Sequence, residues 1–376
     1  MRAFVCSRDD VVTRLEWEDG SAEARPVLEG VPVRCVAADG DRVIIGTQGA
    51  GAVLSSDGGR RWERMELPEP DVVSVAIGPA DGALYAGTEP SRVFVLRDGA
   101  KWTELEALQE IPSRGRWSFP PRPWTHHVRW IAPDPHRSER LLVAIELGGV
   151  MLSEDGGESF SDHRPGAKRD AHAITWHPLA EGRAYEAAGD GAAWSMDGGR
   201  SWSAVDAGRE LGYCWALAAD PGDPDRWYVS AARGPRQAHS GVRAHGRLYR
   251  WDGDAWRELP VPGESMPYTL AASAGELVCG MADGRLLHSP DRGESWQELA
   301  VTAPIVATAL AARPCRSPRS FRTAAARWRS FELSSPGAIS APPPLRIATL
   351  LPHPALVVRD RQATITTPRC WSASDV

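Results

Sequence analysis

The pattern Ser-x-Asp-x-Gly-x-x-Trp/Phe occurs four times, at residues 55–62, 153–160, 195–202 and 289–296, and it limits the chain to a narrow set of folds. Each copy lies between an aliphatic run and a short alternating polar-apolar segment, which is the setting of a β-hairpin turn. Asp57, Asp155, Asp197 and Asp291 can accept the backbone N–H groups of their own turns. The glycine two residues on supplies a positive φ without a Cβ clash, and the aromatic ring folds back as an apolar plug.

Three further hairpins keep only part of the pattern: Asp19-Gly20, Asp98-Gly99 with Trp102, and Asp252-Gly253 with Trp256. Successive turn aspartates are spaced by roughly 40–55 residues, the spacing of four-stranded propeller blades. Aliphatic segments at 33–37, 72–77, 128–132, 171–175, 214–218, 268–272 and 306–311 supply a first strand for each of seven units. The chain opens with three strands (3–7, 11–17, 24–28) that lack a first strand, and 306–311 is a first strand left over. Joining the two completes a seventh blade and removes exposed sheet edges. The expectation is an all-β, seven-bladed β-propeller over residues 1–312, closed by N-terminal strands pairing with a C-terminal strand.

The four boxes resemble the Asp-box (BNR) repeats of sialidases, sortilin-type receptors, photosystem II assembly factors and bacterial WD40/YVTN/BNR-like "glycosyl hydrolase" proteins. That resemblance implies a propeller with structural boxes on the face away from the ligand. It does not choose between enzymes, receptors and assembly factors, which share the repeat.

Composition narrows the class further. The net charge of −6 disfavours a general nucleic-acid or membrane-surface role, and no apolar run is long enough for a transmembrane helix. The N-terminus turns polar too early for a signal peptide. The six cysteines (Cys6, Cys35, Cys214, Cys279, Cys315, Cys370) show no paired spacing and read as reduced thiols in a cytoplasmic protein. From Arg313 to the end, ten arginines face three acids, a formal +7 that leaves −13 for the rest. This Arg/Pro-rich tail, 313–376, reads as disordered or as a non-native extension.

Function is expected at the face opposite the boxes, around the channel mouth. The two long unit spacings place insertions there, at 106–125 and 231–246. Aligning the first strands puts Arg34, Val73, Arg129, His172, Trp215, Tyr268 and Thr308 in one row. Two places earlier come Pro32, Asp71, His127, Asp170, Tyr213, Met266 and Val306. Packing between blades calls for apolar residues at such positions, and many of these are polar or charged. Trp124, His126, Glu146, Arg236 and His239 join them from neighbouring loops. The same segment, 118–129, resembles a stretch found in the bacterial propellers named above.

Three chemistries fit these residues. A binding propeller would take a small polar, anionic or carbohydrate-like ligand on the Arg, His and aromatic rim. A sialidase-like hydrolase would use Arg34, Arg129 and Arg236 to clamp a carboxylate, Tyr268 with Glu146 as nucleophile pair, and Asp71 as acid. The Phe/Tyr-Arg-Ile-Pro motif of sialidases is absent, with Val33-Arg34-Cys35-Val36 in its place. A metal-dependent hydrolase or lyase would draw ligands from His126, His127, His172, His239 and Glu146, although no local spacing marks them as a metal motif. The expectation is therefore no cofactor, no metal, no nucleic acid and no assigned catalytic residue.

Overall fold

The computed structural model describes residues 1–18, 21–97, 101–119, 125–273 and 275–311. The turns at Asp19-Gly20 and Asp98-Gly99, the residue Trp124 and the tail 313–376 lie outside the described residues.

Among the described residues, seven antiparallel sheets form seven blades around a channel. Their inner strands are Val33–Asp39, Val72–Ile77, Val128–Pro133, Ala171–Trp176, Tyr213–Ala219, Pro267–Ser273 and Ile305–Leu310, in blades 1 to 7 respectively. Each inner strand touches the next, and the seventh touches the first. Blade 3 has three strands plus a bridge from Leu152 to Ser161, and the others have four. The seventh blade is assembled as expected: Arg2–Ser7 pairs antiparallel with Ile305–Leu310, with Phe4 opposite Ala309. Closing the ring in this way completes the seventh sheet and leaves its inner strand paired like those of the other blades.

Blades pack through apolar clusters that each draw on neighbouring sheets, such as Ile44 and Ala52 with Val72 and Phe94. Close approach needs a small residue on the second strand. A Cβ at Gly87 would lie 2.5 Å from Val128 Cγ1 of the next blade.

The four boxes build the same turn each time. Ser195 Oγ accepts from Gly199 N (2.9 Å), while Asp197 Oδ1 accepts from Arg200 N (3.1 Å) and Ser201 N (3.0 Å). The Ser55, Ser153 and Ser289 turns repeat the bond from the glycine N–H to the serine hydroxyl. Each box is also tied to the turn between the first two strands of its own or a neighbouring blade, as in Gly198 N to Gly182 O at 2.9 Å. The boxes therefore lie at the lower mouth, where the inner strands end. The aromatic residue packs towards the preceding blade: Trp62 Nε1 donates to Val27 O at 2.8 Å.

Candidate functional site

At the upper mouth, a single irregularity recurs in every blade. The pairing between inner and second strand slips by one residue near the start of the inner strand. The extra residue is Arg34, Val73, Arg129, His172, Tyr268 and Val306 in blades 1, 2, 3, 4, 6 and 7. In blade 5 it falls within Trp215–Ala216. A bulge re-aims its side chain and locally ends the ladder, so this row can carry polar groups without disturbing the sheet. Blade 7 differs from the sequence alignment. Val306 occupies the bulge there, and Thr308 lies one step down the channel, 2.9 Å from Thr269.

The row converges on blades 3 to 5. Glu146, directly after the second strand of blade 3, is buried and lies 2.6 Å from His127 Nε2. Arg129 Nε lies 3.5 Å from the same carboxylate oxygen. The other oxygen, Oε1, faces His172 Nε2 at 3.6 Å. Burial alone would push the Glu146 carboxyl up. The Arg129 charge and the His127 hydrogen bond outweigh it and hold the group at about 2.

His172 is 1% exposed. Its Nδ1 lies 2.6 Å from the Cys214 carbonyl, which can only accept, so this nitrogen carries the hydrogen. Nε2 then points at Glu146, at Asp170 Oδ1 (3.5 Å) and at the Tyr213 hydroxyl (3.3 Å). Burial, reinforced by the charges of Asp170 and Glu146, raises the Tyr213 pKa and keeps it a neutral donor.

Aromatic rings wall the cluster. The Arg129 guanidinium sits 5.1 Å from the Trp215 ring centre, a cation–π arrangement. Trp215 lies 4.9 Å from His172, 5.5 Å from Tyr268 and 5.3 Å from His239. His239 ends the short helix Pro235–His239 inside the second insertion, and the Tyr268 hydroxyl ties that insertion down by donating to Ala238 O at 3.0 Å. The insertion at 231–246 thus reaches over the same mouth. Burial, with the nearby Arg129 charge, favours the neutral form of His239 despite Glu146.

Other expected residues lie elsewhere. Arg34 pairs with Glu89 at 3.8 Å, away from the cluster. His126 accepts from Ser91 N (3.3 Å) and packs on Trp117, bracing the first insertion. Arg236 is exposed on its helix and outside the cluster. The three arginines of a carboxylate clamp are therefore not assembled, and Tyr268 is engaged with a backbone carbonyl instead of Glu146. The metal-type set is also re-drawn: the ligand atoms that converge within 4.8 Å of one another belong to Glu146, Asp170 and His172. Asp170 had a rim position in the sequence but no assigned partner; it lies 3.5 Å from His172, two residues on in the same blade, while Glu146 comes from the adjacent blade.

The lower mouth holds a cavity of about 490 Å³ lined by mostly apolar side chains, including Trp130, Trp176, Ile77 and Leu310. The described cysteines, Cys6, Cys35, Cys214 and Cys279, are free, and burial pushes the Cys35 thiol up to about 12. No helix among the described residues is long and apolar enough to cross a membrane.

Fold and mouth together define a β-propeller with a polar, partly buried cluster at one end of its channel. No family model and no curated sequence matches the chain. Among solved structures it is similar to the GH74 xyloglucanase from Xanthomonas campestris, at 17% identity and a TM-score of 0.60 over 82% of this chain and 52% of that one. An ancestral GH74 enzyme gives 16%, 0.58, 72% and 39%. The WD40 β-propeller domain of Doa1 gives 12%, 0.55, 78% and 90%. This chain spans about half or less of the length of the two enzymes. At such identities the likeness establishes the propeller fold alone.

Proposed function

We propose that residues 1–312 form a binding propeller that takes a small hydroxyl-rich or anionic ligand of carbohydrate type at the upper mouth, between blades 3 and 6. The supporting observation is the stack of Arg129 on Trp215 beside the buried Glu146–His172 pair. A guanidinium offers fixed donors, an ionised carboxylate accepts, and Trp215 with Tyr268 gives a flat face for a sugar ring. Glucuronate and glucose serve as charged and neutral probes by calorimetry. Saturable binding that Arg129→Ala weakens at least tenfold supports this reading. Absence of binding by either probe, or equal affinity in the variant, overturns it.

Glycoside hydrolysis is the second reading, favoured by the pair Glu146 and Asp170 at the same mouth and by the fold shared with the GH74 enzymes. A carboxylate held near 2 suits a nucleophile or base and not a proton donor. In this reading Asp170 would supply the acid. Release of fluorophore from a panel of aryl glycosides, abolished by Glu146→Gln, is the result it requires.

A further inference from the structure

Three groups at the upper mouth bring possible ligand atoms together. The Glu146 carboxylate comes from blade 3 and the Asp170 carboxylate and His172 Nε2 from the start of the inner strand of blade 4, and one ligand atom from each lies within 4.8 Å of the other two. The two resolved separations from Nε2 are 3.6 Å to Glu146 Oε1 and 3.5 Å to Asp170 Oδ1. Nδ1 gives its hydrogen to the Cys214 carbonyl, so Nε2 is the ring atom turned towards the two carboxylates, with the Tyr213 hydroxyl 3.3 Å away. Two carboxylates brought this close repel unless positive charge lies near both, and Arg129 reaches only Glu146 Oε2.

We infer that Glu146, Asp170 and His172 form a site for a borderline divalent metal ion, Mn²⁺ or Zn²⁺. Metal bonds of about 2.0–2.1 Å at tetrahedral angles put neighbouring ligand atoms about 3.4 Å apart, close to both observed spacings. The supporting contacts are also of the kind that metal ligands need. A histidine ligand is oriented by a bond from its other nitrogen, here to Cys214 O, and a ligating carboxylate is itself held by hydrogen bonds. His127 at 2.6 Å, with Arg129 beside it, occupies Glu146 Oε2 and leaves Oε1 for the ion. The imidazole, and Arg129 drawing on one carboxylate, disfavour Ca²⁺, which takes six to eight oxygens. Asp170 is 22% exposed, so the site opens on the channel side, where water or a ligand hydroxyl completes the coordination.

This inference does not rest on the ligand reading, because the metal alone is the probe. Protein stripped with chelator is titrated with MnCl₂ and with ZnCl₂, followed by calorimetry and, for Mn²⁺, by electron paramagnetic resonance. One equivalent of metal is expected to bind. Asp170→Asn and His172→Gln should each weaken binding at least tenfold, while Asp197→Asn in a distant turn leaves it unchanged. Circular dichroism confirms that each variant is folded. If His172→Gln fails to fold, Asp170→Asn, partly exposed and isosteric, carries the test. No saturable binding by the stripped protein overturns the inference, as does wild-type affinity in Asp170→Asn. Nitrogen chemical shifts that show both ring nitrogens of His172 protonated in the presence of Zn²⁺ also overturn it, since a proton would then fill the gap. Glucuronate binding to stripped protein that takes up no metal would sink the cation and leave the ligand reading standing. Metal binding without any sugar binding would do the reverse.

Discussion

The two mouths of the channel are made by the same seven strands and are chemically opposite. At the lower mouth one turn is repeated almost unchanged, with the same serine hydroxyl and aspartate oxygen taking the same backbone N–H groups in blades 1, 3, 4 and 6. Around it the side chains that line the cavity are mostly apolar. At the upper mouth the blades diverge: the bulged row reads Arg34, Val73, Arg129, His172, Trp215, Tyr268 and Val306, with blade 5's bulge spanning Trp215–Ala216. A feature that every blade repeats answers a need every blade has, namely a satisfied turn. Residues that differ from blade to blade while meeting at one place are free to recognise something.

The largest expected effect tests the ring that holds both mouths together. A chain ending at residue 303 loses the strand Ile305–Leu310 and its pairing to Arg2–Ser7, and should forfeit most of the ~5–15 kcal/mol that holds a domain folded. A chain ending at 313 should melt like the full-length protein. Equal melting of the two truncations would break the closure.

Next in size is the asymmetry of function. Arg129→Ala should cost at least tenfold in ligand affinity and little in melting temperature, because its side chain is partly exposed. His172→Ala should lose binding too, but with a clear drop in stability, since the ring is buried and bonded to Cys214 O. Unchanged affinity in both variants would move function away from the upper mouth.

Glu186 sharpens the same comparison from within blade 4. Its carboxyl is fully buried, with one oxygen taking Lys168 N and the other without a hydrogen-bond partner. Burial pushes it up to about 8. The folded state therefore holds a proton that the unfolded chain releases near 4.5, so stability should fall as pH rises from about 4.5 to 8. Glu186→Gln should remove that slope and stabilise the protein at pH 8 by up to about 3 kcal/mol, with little change at pH 4. Melts at the two pH values decide it, and a slope that survives the substitution would assign the titration to another group.

The smallest effect belongs to the lower mouth. Asp197→Ala removes the acceptor for Arg200 N and Ser201 N, which are near solvent, and should cost about 1–2 kcal/mol with ligand affinity intact. A stable variant that no longer bound ligand would invert the assignment of the two faces.

How much of this was legible in the residues depends on distance along the chain. The hairpins follow from contacts within eight residues, so Ser195, Asp197, Gly199 and Trp202 announce their turn and its hydrogen bonds directly. The inner strands Val72–Ile77 and Ala171–Trp176 were expected at 72–77 and 171–175, because aliphatic runs bounded by turns mark buried strands. The candidate site was only partly legible. His172, Glu146 and Arg129 were expected near one another, yet Asp170 stood in the rim row without a partner. His126 shared a segment with His127 but braces a loop through Ser91 N.

The propeller, its strand order and the closure of the ring were legible in the sequence itself, because three opening strands without a first strand and one first strand left over at the other end complete a blade only by pairing. Which rim residues share a site was decided only by the tertiary structure. The bulges set the direction of each side chain, and a slip of one residue in the ladder leaves no mark in the spacing of apolar residues. The neighbours of His172, Glu146 from one blade and Cys214 and Tyr213 from another, are brought to it by the packing of consecutive blades and by no local rule.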